Sequence, residues 1–170
     1  MNYSRKELIT TDATMNQMRN SIHILASFME KNEVSNVRER LRIMGHNIAK
    51  TYVRYWKPTE TVLISNLKDV ITTIYQKVLN STITVEIDEL ENFVKVQDSK
   101  CALCKYQYDD ITIAGCEIIL GMVAEIISQI SNNSSDSSSI LLDPLEVSES
   151  QAYGNKTCVQ VFKYKLKERS

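Results

Sequence analysis

The spacing of apolar residues predicts three helices in the first half of the chain. In the first helix, apolar side chains recur every three or four positions, at Met15, Met18, Ile22, Leu25 and Met29. A second helix is predicted to begin at Ser35, a favourable N-cap residue, and to end before Pro58. A third is predicted to begin near Thr59, with an apolar face made of Leu63, Leu67, Val70, Ile71, Ile74 and Val78.

The second helix is apolar on two sides. One stripe consists of Val37, Leu41, Met44, Ile48, Tyr52 and Tyr55, and a second side carries Ile43, Val53 and Trp56. A monomer of this size can bury only one side of such a helix, and an exposed apolar patch usually marks an interface. The sequence therefore predicts that this helix packs against its own core and also against another chain.

The second half of the chain changes to the period of β-strands. Apolar and polar residues alternate over residues 82–87, 94–97 and 104–108, and two further strands are predicted at 144–149 and 157–166, joined by a turn at Gly154. Between them, residues 111–130 are apolar on nearly every side, which predicts a central helix, and the Ser-rich segment 131–139 is predicted to be a flexible loop.

This order predicts an α+β fold, in which helices pack on one face of a small antiparallel sheet. Residues 1–170 are enough for a single domain with a substantial core.

The charge balance and the scarcity of certain residues exclude several functions. Lys and Arg together number 20 against 21 Asp and Glu, for a net charge of −1, so nucleic acid is not an expected partner and membrane association is peripheral at most. The N-terminus lacks the apolar segment of a signal peptide, which favours the cytoplasm. With four glycines and two histidines, the chain can form neither standard phosphate-binding glycine loop and offers little for acid–base catalysis. We therefore expect no catalytic residues and no cofactor.

The four cysteines admit two interpretations. Cys101 and Cys104 have the spacing of half a zinc site, which Cys116 and Cys158 could complete. The chain has no second closely spaced pair, however, so the sequence favours separate buried thiols, and no bound metal is predicted.

The second predicted helix carries a family resemblance. Its run Met44-Gly45-His46-Asn47-Ile48, followed by Ala49, resembles the second helix of the small subunits of TRAPP, the transport protein particle. That family has an aromatic residue in place of His46 and a glycine in place of Ala49. Small residues one turn apart leave a shallow strip on which another helix can pack closely.

The resemblance covers most of the chain, as far as Leu166. Ser65-Asn66-Leu67 resembles the entry to the third helix of the family, and Phe93–Asp98 resembles one of its strands. The resemblance implies a subunit that dimerises through its first two helices, as a homodimer or with a related subunit. Its assembly would bind a small GTPase and tether vesicles or membranes. The candidate interface residues are Met15, Met18, Ile22, Ile43, Val53 and Trp56.

Two departures from the family affect the expected function. Ile64 stands where some TRAPP subunits carry an acylated cysteine, so acylation is not expected here. TRAPP subunits are also related to the 4-vinyl-reductase domain, and Glu149, Gly154 and Cys158 resemble the end of a zinc-binding run in that domain. Ala152 stands where the run has its first cysteine, so that zinc site is not expected. The alternative function is a 4-vinyl-reductase-like sensor that binds a small apolar ligand among the third and fourth helices and the sheet.

Overall fold

The computed structural model describes residues 5–134 and 138–167, which contain four α-helices and four β-strands. In chain order these elements are α1 (Arg5–Lys31), α2 (Val37–Tyr52), α3 (Leu67–Val78), β1 (Ile83–Asp88), β2 (Phe93–Asp98), α4 (Glu117–Asn133), β3 (Ile140–Glu149) and β4 (Cys158–Leu166). Helices packed on an antiparallel sheet confirm the predicted α+β fold class.

The strands form one antiparallel sheet in the order β1-β2-β4-β3. Alternation along the strands divides the two faces: in β2, Val94 and Val96 are buried, whereas Lys95 and Gln97 are exposed. The buried side chains join those of α3 and α4 in the main hydrophobic core, which includes Ile71, Ile74, Ile127 and Phe162, all fully buried.

Helix α4 lies at the centre of the fold, between the sheet and α2. It is buried along nearly its whole length, as its apolar sequence predicts. Helix α1 is the outermost helix and packs against α2 and α4 through a small second core of Ala26, Leu41 and Ile118. None of the helices in the described part of the chain combines the length and apolar character needed to cross a membrane.

The strand predicted at 104–108 does not form. These residues belong instead to the connecting loop, residues 99–116, which contains neither helix nor strand. The tyrosines in this segment contact α1: the Tyr106 hydroxyl donates to Asn16 Oδ1 and the Tyr108 hydroxyl to Asn20 Oδ1. The alternation thus comes from a buried Cys104 and two tyrosines that contact α1. The sequence pattern alone cannot distinguish such a loop from a strand.

Two helix starts also differ from prediction. Helix α3 begins at Leu67 rather than near Thr59, because Asn66 folds the preceding residues into a turn: its Oδ1 accepts from Leu63 N–H at 2.8 Å and its Nδ2 donates to the Thr61 carbonyl at 3.1 Å. Ser35 does not cap α2; Asn36 precedes the helix in the left-handed conformation (φ 58°).

The boundaries of α2 and α4 also differ from prediction. Helix α2 ends at Tyr52, and α4 begins at Glu117 rather than at Ile111. Of the predicted Ser-rich loop, residues 131–133 form the last residues of α4, and residues 135–137 lie outside the described part of the chain.

Candidate functional site

Helices α2 and α4 cross with their backbones in contact, and glycines make this possible on both sides. A Cβ on Gly45 would lie 2.0 Å from the Ile118 carbonyl oxygen, and a Cβ on Gly121 would lie 2.3 Å from the Arg42 carbonyl oxygen. The predicted helix-packing motif therefore divides in two. Gly45 and Ala49 are buried on the face of α2 that carries its buried residues, whereas Met44, Asn47 and Ile48 are exposed and His46 is half-buried.

A buried ion pair holds this crossing. Arg42 Nε donates to Glu117 Oε2 at 2.8 Å, while the other guanidinium nitrogens donate to the carbonyls of Pro144 and Leu145 on β3. Burial raises the pKa of Glu117, and the hydrogen bond from Arg42 opposes that rise. A second contact, between His46 Nδ1 and Glu125 Oε2 at 3.7 Å, joins the same two helices.

The predicted interface residues occupy four different environments. Val53 and Trp56 pack against the main core, and Ile22 packs against the small second core. Met15 is half-buried, whereas Met18 and Ile43 are exposed.

Further exposed apolar residues on α1 and α2 do not belong to the predicted interface set. We use the name outer helix face for the set made of Met18, Ile43 and five further exposed apolar residues of these helices, Ile24, Leu25, Phe28, Met44 and Ile48. The sequence pattern did not place these residues at the interface. The buried face of α2 includes Gly45 and Ala49, and such small side chains do not mark a buried face in the pattern of large apolar residues.

Helix α1 is attached to the connecting loop through polar side chains. Arg19 Nε donates to the Ala102 carbonyl at 2.6 Å, and His23 Nε2 lies 3.0 Å from the Leu103 carbonyl. Farther along, Lys31 and Ser27 both donate to Asp110 Oδ2. The position of α1, and with it half of the outer helix face, thus depends on the conformation of this loop.

The structure brings all four cysteines together in one place, which we call the cysteine cluster. Their Sγ atoms all lie within 4.8 Å of one another, and all four side chains are buried free thiols. Cys101 and Cys104 lie in the loop that leaves β2, Cys116 immediately precedes α4, and Cys158 begins β4 opposite Asp98 of β2. The prediction of no bound metal rested on the lack of a second pair of cysteines closely spaced in the sequence. The fold brings Cys116 and Cys158 to the first pair, so this reason no longer applies.

Hydrogen bonding within the cysteine cluster makes the thiols unequal. The bond between Cys101 and Cys104 raises the pKa of Cys101 and lowers that of Cys104, and the bond with Cys101 raises the pKa of Cys116. These hydrogen bonds therefore favour a thiolate at Cys104 over one at Cys101 or Cys116. Four thiolates at this separation would require a cation among them.

The position of the family acyl cysteine is occupied by Ile64, which is partly exposed in the segment before α3. In the main hydrophobic core, large side chains are almost completely buried, including Leu67, Ile71, Tyr75, Ile119 and Ile127. A channel wide enough for an acyl chain would leave the side chains that line it partly exposed. The side chains named here have exposed fractions of 1% or less.

Comparison with known proteins gives a match in structure but not in sequence. Neither a protein-family model nor a curated protein sequence matches this chain. Among solved structures, it is similar to a trafficking protein particle complex subunit 3 from Naegleria fowleri, covalently bound to palmitic acid. The two chains share 11% identity with a TM-score of 0.63, and the match covers 94% of this chain and 99% of the other. The resemblance found in the sequence is thereby confirmed at the level of structure: this chain has the fold of a TRAPP subunit.

Proposed function

We propose that this chain is a non-catalytic subunit of a TRAPP-like assembly in vesicle transport. It pairs through the outer helix face with a second chain of the same fold. The observation that carries the proposal is the match to a TRAPP subunit along nearly the whole of both chains. The exposed apolar residues of α1 and α2 support it independently, because they give the fold a surface suited to a partner.

The outer helix face has the character of an interface core. Phe28 is 60% exposed on α1 and Ile43 is 48% exposed on α2, although both are large apolar side chains. Burying one such side chain contributes about 1.5–3 kcal/mol, so a few of them are enough to support association. The partner in this proposal is either a second copy or a related subunit, since both present this fold.

The small GTPase of the proposal binds to the assembly rather than to this chain alone. Nucleotide exchange is then a property of several subunits together, in agreement with the expected lack of a catalytic constellation in this chain. The assembly would act in the cytoplasm, with peripheral membrane association at most.

The filled interior agrees better with the function of a scaffold than with that of a lipid carrier or a ligand sensor. The similar subunit carries covalently bound palmitic acid, but Ile64 offers no thiol for such a bond. The space between α3, α4 and the sheet is filled by the chain's own side chains, among them Tyr75, Ile127 and Phe162. A sensor of the 4-vinyl-reductase kind would need that space for its ligand.

Sedimentation of the full chain at micromolar concentration tests the pairing. We expect a dimer that Ile43→Glu dissociates into folded monomers, with the native circular dichroism spectrum kept, because Ile43 lies outside both hydrophobic cores. Leu90→Glu is the matched control, since Leu90 is 93% exposed in the turn between β1 and β2. It should leave the dimer intact.

Capture from the native lysate tests the assembly itself. The unmodified chain and the Leu90→Glu variant should both recover chains of TRAPP-subunit fold together with a small GTPase, and Ile43→Glu should recover neither. A monomer that recovers no chain of this fold would refute the proposal. Extraction of a stoichiometric apolar ligand from the purified chain would favour the sensor instead.

A further inference from the structure

The cysteine cluster has the donor set and closure of a structural metal site. Four sulfur atoms from three separate parts of the fold meet with every Sγ–Sγ distance within 4.8 Å. Zn²⁺ bound by four thiolates at about 2.3 Å requires sulfur atoms about 3.8 Å apart, the edge length of the tetrahedron. The largest separation thus exceeds the required one by only about 1 Å, which small side-chain rotations can close.

Pairing into two disulfides fits this geometry less well. Disulfide formation brings two sulfur atoms to about 2.05 Å and leaves each pair independent of the other. Here every sulfur atom is near all three others, which a tetrahedral site requires and two separate bonds do not. The Cys101–Cys104 spacing is also that of a zinc knuckle, in which one short loop supplies two ligands.

The surroundings of the cluster favour negatively charged sulfur. Cys116 lies at the N-terminus of α4, whose dipole would stabilise the net negative charge of a four-thiolate centre. The backbone N–H of Gln151 donates to Cys158 Sγ at 3.3 Å. On the solvent side, Cys101 borders a cleft of about 320 Å³ whose other lining residues include Arg19, Lys100 and Lys105. These cationic side chains lie on the side of the cluster that faces this cleft, where a four-thiolate zinc centre would carry a net negative charge, although Lys105 also pairs with Asp12 at 3.9 Å.

The cluster also lies where the fold needs support. The connecting loop has no helix or strand of its own, and long loops without secondary structure are uncommon in compact domains. Three of the four cysteines, Cys101, Cys104 and Cys116, belong to this loop, and Cys158 belongs to β4. A metal ion held by all four would tie both ends of the loop to the sheet.

We propose that Cys101, Cys104, Cys116 and Cys158 bind one Zn²⁺ ion as a closed structural site. The four protein ligands leave no coordination position for water or substrate, so the ion stabilises the fold rather than catalysing a reaction. The bound ion fixes the carbonyls of Ala102 and Leu103, on which Arg19 and His23 of α1 dock. Metal binding thereby sets the position of α1. This inference does not depend on the proposed function.

The test uses the full chain, purified under reducing conditions without chelators and then supplied with Zn²⁺. After dialysis we expect one zinc ion per chain, and chelation should lower the melting temperature and expose four thiols to a thiol reagent. Co²⁺ added to the metal-depleted chain should give the absorption bands of tetrahedral thiolate coordination. These measurements use the unaltered sequence and so do not depend on whether a variant folds.

Variants separate ligation from packing. Cys104→Ser should weaken Zn²⁺ binding by more than the roughly 100-fold that loss of an outer-shell partner can cost. Ser139→Ala is the matched control, because Ser139 is a small buried polar residue next to the end of the sheet remote from Cys158. It should bind Zn²⁺ normally.

Two outcomes would overturn the inference. One is substoichiometric zinc together with a melting temperature that neither Zn²⁺ nor chelator changes, which would leave the cysteines as packed thiols. The other is a mass, measured without reductant, that is lower by two hydrogens for each disulfide formed. Sedimentation tests the dimer by a separate measurement, so failure of zinc binding and failure of the pairing are distinguishable.

Discussion

At the scale of single residues, Asp110 shows how α1 is held to the connecting loop. The hydrogen bond from Lys31, and then that from Ser27, lowers the pKa of Asp110. Its folded-state pKa therefore lies below the unfolded-state value of about 3.9. The stabilisation is present above that value and is lost as the pH falls through the folded-state pKa.

Lys31→Gln should accordingly raise the pKa of Asp110 towards its usual range, which a carboxyl-carbon NMR titration measures. The stability difference between this variant and the unaltered chain should shrink as the solution is made more acidic. Lys165→Gln is the control, because Lys165 pairs with Asp143 on the sheet, and it should leave the titration of Asp110 unchanged. An Asp110 pKa that is the same in all three chains would mean that this contact does not persist in solution.

Gly45 gives a second prediction at this scale. Replacing glycine by alanine within a helix normally stabilises it, by about 1 kcal/mol. At Gly45 the added methyl group would meet the Ile118 carbonyl and the Met122 amide nitrogen, which are backbone atoms and cannot rotate away. We expect Gly45→Ala to lower the free energy of unfolding by about 1–3 kcal/mol, as overpacking does.

Urea denaturation of Gly45→Ala and of Asn47→Ala would check this, since Asn47 is exposed on the same helix. The Asn47 variant should be neutral or slightly more stable. Equal stability of the two variants would contradict the close contact between α2 and α4.

At the scale of elements, the contact of Arg42 with Glu117 joins α2 to α4 and to β3. Both side chains are largely buried, so removing Arg42 leaves the Glu117 carboxylate with only its longer contact to Arg38, at 3.8 Å. Arg42→Met should cost about 3–5 kcal/mol of stability. Adding Glu117→Gln to this variant should restore a substantial part of the loss, because the buried carboxylate that has lost its short contact with Arg42 is then gone. A double-mutant cycle measures this coupling: the free energies of unfolding of Arg42→Met, Glu117→Gln and the double variant are compared by thermal or urea unfolding. Additive losses would show that the ion pair does not couple these elements.

The helices and strands also show what periodicity can and cannot predict. The sequence predicted both β2 and α4. In β2, burial of one face gives an alternation of apolar and polar residues, and in α4, burial on nearly all sides gives a continuous apolar run. The start of α3 was missed because it depends on the hydrogen bonds that Asn66 makes. The sequence raised a site of all four cysteines but favoured separate thiols, because Cys158 comes close to the others only through the register of β4 against β2.

At the scale of the whole molecule, α1 is less firmly integrated than the core. The small second core and a few polar contacts to the connecting loop attach it, whereas α4 is buried on nearly every side. Hydrogen exchange should therefore reach α1 amides well before those of α4 and β4. Arg19→Met should speed exchange in α1 and leave the sheet unchanged. Arg54→Met, at an exposed position, should have no effect. Uniform protection across the helices would contradict this order.

The contact of Arg42 with Pro144 and Leu145 has one more consequence, because β3 is an outer strand of the sheet. Free carbonyls on an outer strand can recruit a strand from another molecule, which is a common route to aggregation. Pro144 removes one donor from this strand, its register against β4 shifts nearby, and the guanidinium of Arg42 occupies two of its carbonyls. The residue that fastens α2 therefore also keeps this side of the sheet from extending into a neighbouring molecule.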